Sequence, residues 1–323
     1  MSFVERAQSL IAHWKFNYYM NELLEEENEL FQRRFTDFPH MRDVFKNMTY
    51  YFENAEPLLN IPQPYSEKIK FIGGIGIKRV QSLNDEYQKL LNKSRRGTIL
   101  FSFGSLLRIE QVPLDVQLEI LKAFRLFEDY QFLWKHDKPE MLSKWLTNTS
   151  NVHLVSWLPQ NDLLNDKRVT LFVTHSGMNS YMESMRASVP LIAIPLFADQ
   201  PWNAAAIVEK GVGVQIQPKQ LNSKTLSHAI QEVLNNEKYR ERALEMSRRL
   251  KRKQPTPRDH FVQLIEFAAD HPTLGQDLQL AGHDMDVVTY FCVDVILCFI
   301  LVSLAAFCFK SDSSHKKAKK PIK

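Results

Sequence analysis

Apolar residues recur at three- and four-residue steps through Val4, Ala7, Leu10, Ile11, Trp14 and Tyr18, which predicts a helical segment over 1–34, closed by the acidic run Glu25–Glu27. Residues 48–52 (MTYYF) read as a strand. Residues 57–78 hold Pro57, Pro62, Pro64 and the cluster Gly73, Gly74, Gly76, and read as an irregular crossing. From Thr98 the pattern alternates. Continuous apolar runs at 98–103, 131–134, 152–155, 170–174, 190–194 and 212–216 predict strands; the stretches 115–130, 178–187, 200–210 and 222–235 between them predict helices. Two further helices fill 236–270, separated at Pro255 and Pro257. Uninterrupted apolar strands joined by helices predict a parallel sheet covered on both faces. Ligands bind such sheets outside the carboxyl ends of the strands, so the loops after 103, 155, 174 and 194 are the places to seek chemistry.

Val287–Phe309 (VVTYFCVDVILCFILVSLAAFCF) carries one charge, Asp294, over a length that predicts a membrane-spanning helix. The tail 310–323 follows at once with six lysines against one aspartate, which places that tail on the cytosolic side. The chain's formal net charge is +4, so once this tail is set aside the body is close to neutral and carries no nucleic-acid footprint.

At 323 residues the chain is long enough for about two domains. All three cysteines (Cys292, Cys298, Cys308) fall in the apolar segment, so cysteine usage is silent about the body's compartment. Three sequons, at Asn47, Asn92 and Asn148, are candidate glycosylation sites and point to a lumenal body. The opening MSFVERAQSLIAHWKF has no cationic region followed by an apolar run, so it is not a signal peptide. Either the body is cytosolic, or a segment upstream of Met1 carried the signal.

Gly104-Ser105 follows the strand 98–103, and His175-Ser176-Gly177-Met178-Asn179-Ser180 follows 170–174. Helix N-termini that open with small polar residues suit a phosphate; plain helix capping is the alternative. Ser156-Trp157-Leu158-Pro159-Gln160 sets an indole beside a carboxamide, able to stack a base and bond its edge, or to fill the core. Asp199-Gln200, after 190–194, offers acceptors and donors to the hydroxyls of a sugar, or caps the next helix. Glu183, one turn beyond Asn179, is a carboxylate able to take both hydroxyls of a ribose, or a solvated surface residue. Gly73–Gly76 is not a dinucleotide fingerprint, and a dinucleotide-dependent oxidoreductase is correspondingly disfavoured.

Base, ribose, diphosphate and sugar in chain order is the layout of a nucleotide sugar. The run from Trp157 to Gln200 (WLPQNDLLNDKRVTLFVTHSGMNSYMESMRASVPLIAIPLFADQ) closely resembles the signature of UDP-glucuronosyltransferases and related family 1 UDP-glycosyltransferases. The resemblance implies an α/β, two-domain GT-B glycosyltransferase with a Rossmann-like parallel-sheet donor domain and one C-terminal transmembrane helix. Residues 1–71 resemble the end of the acceptor-binding domain, 72–270 the UDP-sugar-binding domain, 271–286 a juxtamembrane linker, 287–309 the membrane anchor and 310–323 its basic cytosolic tail. It also implies the roles. Trp157 would stack on uracil, Gln160 would bond it or the ribose, and Glu183 would hold the ribose hydroxyls. His175, Gly177, Asn179 and Ser180 would bind the diphosphate, with Ser105 reaching it from the other loop, and Asp199 and Gln200 would hold the donor sugar. No metal or other cofactor is implied. The donor would be UDP-glucuronate or UDP-glucose, the acceptor a small lipophilic molecule, and the setting the endoplasmic reticulum membrane with a lumenal body.

Two differences from the family pattern stand in the signature. Ser176 replaces a second glycine, where a side chain would crowd the diphosphate or, being as small as serine, donate to it, and Asn165-Asp166 replaces a His-Pro pair. The family's histidine base and its orienting aspartate belong to a region that would precede Met1, so this chain is expected to be an N-terminally truncated form that binds donor and transfers poorly. A non-catalytic subunit of a full-length transferase, in a homo- or hetero-oligomer, is the alternative.

Overall fold

The computed structural model describes residues 2–147 and 149–318, the side chains of 110, 284 and 308–318 excepted. The sequon at Asn148 and the tail residues 319–323 lie outside the described residues. The chain divides into two compact units, one of residues 1–50, 66–68 and 271–323, the other of 51–65 and 69–270. Residues 51–65 and 69–71, which the resemblance groups with the acceptor side, thus cluster with the body that follows.

The first unit begins with helix α1 (Phe3–Arg34), started by a reciprocal capping box between Ser2 and Glu5. Its apolar repeat does not become a core: Leu10, Ile11, Trp14 and Tyr18 are all exposed, and Asn28 is the buried position. Asn28 accepts the Met41 backbone N–H at the start of α2 (Met41–Asn47), and Glu25 binds Arg42 and His40. The sequon residue Asn47 is exposed at the end of α2.

The second unit opens with two short parallel strands, β1 (Tyr51–Glu53) and β2 (Ile69–Phe71), of which the second lies inside the stretch expected to be irregular. After α3 (Asp85–Asn92) come β3 (Gly97–Ser102), α4 (Leu114–Arg125), β4 (Tyr130–Lys135), β5 (Val152–Val155), α5 (Gln160–Leu164), β6 (Val169–Thr174), α6 (Met178–Ala187), β7 (Leu191–Ala193), α7 (Gln200–Glu209) and β8 (Gly213–Gln215). Helices α8 (Ser223–Asn235), α9 (Glu237–Arg252) and α10 (Pro257–Asp270) complete it. The six long-range strands form one parallel sheet in the order β5-β4-β3-β6-β7-β8. Side chains alternate across it, except at the start of the β3–β6 pairing, where the register shifts between Thr98 and Ile99. Leu100, Leu133 and Phe172 face a core shared with α3, α5, α6, α7 and α9, while Ile99, Phe101, Phe132, Trp134, Leu171 and Val173 face one shared with α4 and α8. Burial on both faces is why these strands read as unbroken apolar runs. Each fully buried Leu, Ile or Phe contributes about 1.5–3 kcal/mol.

The strand order reverses between β3 and β6, and ligands of doubly wound sheets bind at that point. Ser102 and Thr174 are the last residues paired across it. The chain therefore splays there into two neighbouring loops, 103–105 and 175–177.

The first unit resumes with α11 (Leu274–Asp277), α12 (Val287–Tyr290) and α13 (Val293–Ala318). The segment 287–309, expected to form one membrane-spanning helix, is divided between α12 and α13. Cys292 takes a left-handed φ of 50°, which interrupts the helical hydrogen-bond ladder, and α13 runs on through Lys310 and Asp312 into the tail. Among the described residues, no helix is long and apolar enough to cross a membrane.

Candidate functional site

At the reversal point, β6 delivers His175 beside Gly104 of the opposite loop. A Cβ at Gly104 would lie 2.7 Å from His175 Cε1, and one at Gly177 would lie 2.6 Å from its Nε2. The imidazole is thus held between two bare backbones, and Gly104 also has a φ of 80° that glycine adopts freely. Burial pulls the His175 pKa below its ordinary value, opposed by a hydrogen bond with the Ser102 backbone and by the charge of Asp199. Gly177 caps α6 without a side-chain hydrogen bond, so the helix presents its first N–H groups openly. Asn179 and Ser180 stand in that first turn.

Ser176 does not crowd this loop. It sits at φ 62° and is fully buried, its single hydroxyl hydrogen shared between the carbonyls of His175 (2.5 Å) and Gln200 (3.1 Å). A left-handed position explains why glycine suits this place, and serine holds it by this shared hydrogen bond.

A cleft of about 540 Å³ runs from Ser102, Gly104 and Ser105 past Trp157, Pro159 and Gln160 to Ser180 and Glu183. Trp157 does not fill the core. Its side chain is 67% exposed, and its carbonyl is pinned by the Tyr87 hydroxyl at 2.6 Å. Gln160, the first residue of α5, donates through Nε2 to Glu183 (2.7 Å) and to Ser180 Oγ (3.1 Å). Burial raises the Glu183 pKa; the Gln160 bond opposes that rise and the nearby Asp162 charge adds to it. Glu183 is therefore a half-buried carboxylate lacking its full set of donors, rather than a solvated one.

A second hollow of about 370 Å³ shares Gly104, Ser105 and Ser180 with the first and holds His175, Gly177, Asn179, Asp199 and Gln200. Asp199 is exposed and accepts from Asn203 at 2.7 Å; it occupies the α7 cap position without a capping bond. Gln200 is 4% exposed, and its Oε1 accepts the backbone N–H groups of Leu196 and Phe197. Its carboxamide oxygen is thus spent on shaping the loop, which leaves only Nε2 for a ligand. All ten candidate residues line one or both hollows.

Residues not singled out from sequence also line them. Lys135, at the carboxyl end of β4 and largely buried, pairs with Asp137 at 2.8 Å and faces the larger cleft, as do Lys78 and Arg79. A lysine closing the apolar run QFLW was the available signal for the first. The hollow of about 370 Å³, by contrast, has Asp199 and no lysine or arginine among its described lining residues, and the adjoining hollow of about 360 Å³ adds Glu53. Among the described residues, no three His, Cys, Asp or Glu side chains converge to hold a metal ion.

A family model described as UDP-glucoronosyl and UDP-glucosyl transferase matches residues 1–320. The chain belongs to this family. It is 30% identical to mouse UDP-glucuronosyltransferase 1A9 over 96% of its own length, and 30% identical to the ecdysteroid UDP-glucosyltransferase of Lymantria dispar multicapsid nuclear polyhedrosis virus over 87%. It spans 58% and 55% of the lengths of those two proteins. Among solved structures, the glycotransferase of kitacinnamycin superposes with a TM-score of 0.61 over 82% of this chain and 66% of that one, at 20% identity. The UDP-glucose:anthocyanidin 3-O-glucosyltransferase, solved with UDP, superposes at 0.54 over 62% and 48%, at 25% identity. The chain thus shares the α/β parallel-sheet, GT-B-like fold of these enzymes.

Proposed function

We propose that this chain binds a UDP-sugar across the two joined hollows and serves as the donor-binding part of a UDP-glycosyltransferase that passes a hexosyl or glucuronosyl group to a small lipophilic acceptor. The observation that carries the reading is the continuity of the two hollows at the sheet's reversal point, with an exposed indole and a donor-poor carboxylate at one end and an open helix N-terminus beside His175 at the other. Uridine fits the first end, since Trp157 stacks a base and Glu183 takes ribose hydroxyls. The diphosphate fits the second, where the α6 N–H groups, Ser105 and Asn179 donate to anionic oxygens. In the reaction, an acceptor hydroxyl gives its proton to a general base as its oxygen attacks the anomeric carbon, and UDP leaves as the anion. These residues act on the leaving group, stabilising charge as it develops there.

Titrating tryptophan fluorescence of the full chain with UDP, uridine and NAD tests the binding step. Saturable quenching by UDP is expected; quenching by NAD alone would replace this reading with a dinucleotide enzyme. Incubation with labelled UDP-glucose or UDP-glucuronate and a panel of phenols and sterols tests transfer.

Membrane association belongs to the same proposal. It is supported by the exposed apolar side chains of α13, Phe299, Leu301 and Phe307 among them, and by the lysines beyond them. A lumenal body in the endoplasmic reticulum would leave the lysine tail open to protease on sealed microsomes while the body is protected. Association with a related transferase is supported by the exposed apolar residues of α1, and co-purification tests it.

A further inference from the structure

The strongest unexplained contact lies at the edge of the diphosphate hollow, where a residue from the β1 side reaches α6. Asn54 follows β1 directly. Its Oδ1 accepts the backbone N–H of Gly74 at 3.1 Å, and its Nδ2 donates to Asn179 Oδ1 at 3.0 Å. Oxygen and nitrogen of an amide side chain are usually told apart only by their partners. Here the first partner is unambiguous, because a backbone N–H can only donate. The Asn54 atom facing Gly74 must therefore be its oxygen, and the atom facing Asn179 its nitrogen. Asn179 must answer with its own oxygen. Its Nδ2, carrying two donor hydrogens, is thereby turned away from Asn54, on the residue that stands at the open N-terminus of α6 and lines the hollow.

We propose that Asn54 is a positioning residue that sets the polarity of Asn179, so that Asn179 offers a donor rather than an acceptor to the diphosphate. The relay runs from the Gly74 amide through two carboxamides to the anion. Gly74 has a φ of 88°, and a Cβ there would come within 3.1 Å of the Arg186 guanidinium, so the origin of the relay is itself held in place. The inference rests on the UDP-binding reading above. It adds a residue outside the Trp157–Gln200 signature, just after a strand that pairs with β2 rather than with the main sheet.

The test is a double-mutant cycle on the full chain, read with UDP and with uridine. Asn54→Asp is isosteric and keeps the bond from Gly74, but it presents a second acceptor to Asn179. Asn179 must then flip and point its oxygen at the diphosphate. UDP affinity is expected to fall at least 10-fold, uridine affinity less than 2-fold, and Asn54→Leu, which frees Asn179 without reversing it, to lose about 3-fold for UDP. In the Asn179→Ala background, Asn54→Asp should lose no more than about 3-fold. An equal UDP loss in both backgrounds would reduce the effect to plain charge repulsion and overturn the relay. So would equal losses for UDP and uridine, which would make Asn54 merely structural. Failure of the unsubstituted chain to bind UDP would instead remove the binding reading itself, and the relay with it.

Discussion

Gln160 and Glu183, on different helices, meet through a 2.7 Å hydrogen bond from Nε2 to Oε2. One donor does not replace the water lost on burial, so the Glu183 pKa stays raised. Ribose hydroxyls would supply the missing donors and favour the ionised form. Binding should therefore release a proton, and uridine affinity should be full above the free-state Glu183 pKa and decline as pH falls through it. Glu183→Gln should flatten that profile, and Glu183→Ala should weaken uridine by roughly 1.5–3 kcal/mol, as expected for hydrogen bonds to a charged group. Isothermal titration at several pH values decides both.

His175 titrates with the opposite sign. Burial holds its pKa down in the free protein, whereas a bound diphosphate would favour the protonated ring. UDP binding should take up a proton as pH falls towards the ordinary imidazole value, and UDP should gain affinity relative to uridine over that interval. Gly177→Ala offers a check free of backbone strain, since Gly177 has a φ of −60°. Its added Cβ would displace only the imidazole, 2.6 Å away. The substitution should match His175→Ala in UDP affinity, and the double substitution should lose nothing further.

Trp157→Ala should weaken UDP by roughly 1–3 kcal/mol, the range for base–aromatic stacking. Because the indole is already exposed, the thermal unfolding midpoint should stay put. A falling midpoint with unchanged UDP affinity would return the side chain to a packing role.

The charges around the two ends differ. Lys78, Arg79 and Lys135 line the end proposed for uridine, whereas Asp199 and Glu53 line the hollows proposed for the sugar without a lysine or arginine among the described lining residues. A neutral hexose is expected to fit better there than a uronate, whose carboxylate would face like charge. Competition against a fluorescent UDP analogue should rank UDP-glucose above UDP-glucuronate. The reverse order would require a cation from elsewhere in the protein.

The main sheet was legible because its strands are buried on both faces and join by local crossovers: β5 and α6 fall on the residues expected, and β3, β4, β6, β7 and β8 within one residue at either end. Helix α4 stops five residues short of the expected 130, because Tyr130 already starts β4. Strand β2 was invisible. It is three residues long, lies between a proline-rich stretch and the Gly73–Gly76 cluster, and pairs with a strand 18 positions earlier, so no local period marks it. The break at Cys292 left no trace in hydropathy, which reports apolar character and not backbone dihedrals. In the site, residues of the continuous signature and of the loop after β3 could be named, whereas Asn54, just after β1, and Lys135, at the end of β4, reach it only through folding. The burial of the Gln200 oxygen was hidden for a related reason: its partners are backbone groups three and four residues away, identical for any sequence.

The segment 51–65 is anchored to the sheet body by buried groups. Leu59 lies in the core and its carbonyl accepts the Tyr181 hydroxyl, Asn60 accepts the Trp202 indole N–H, and Glu56, almost wholly buried, binds Lys253. Gly73 has no side chain because one would collide with the Ala55 carbonyl. Anyone trimming the polypeptide to its sheet body should consequently begin before Tyr51: a cut at residue 72 would strip away a wedge of the interior, leave a phenol and an indole without acceptors, and take the tether on α6 with it.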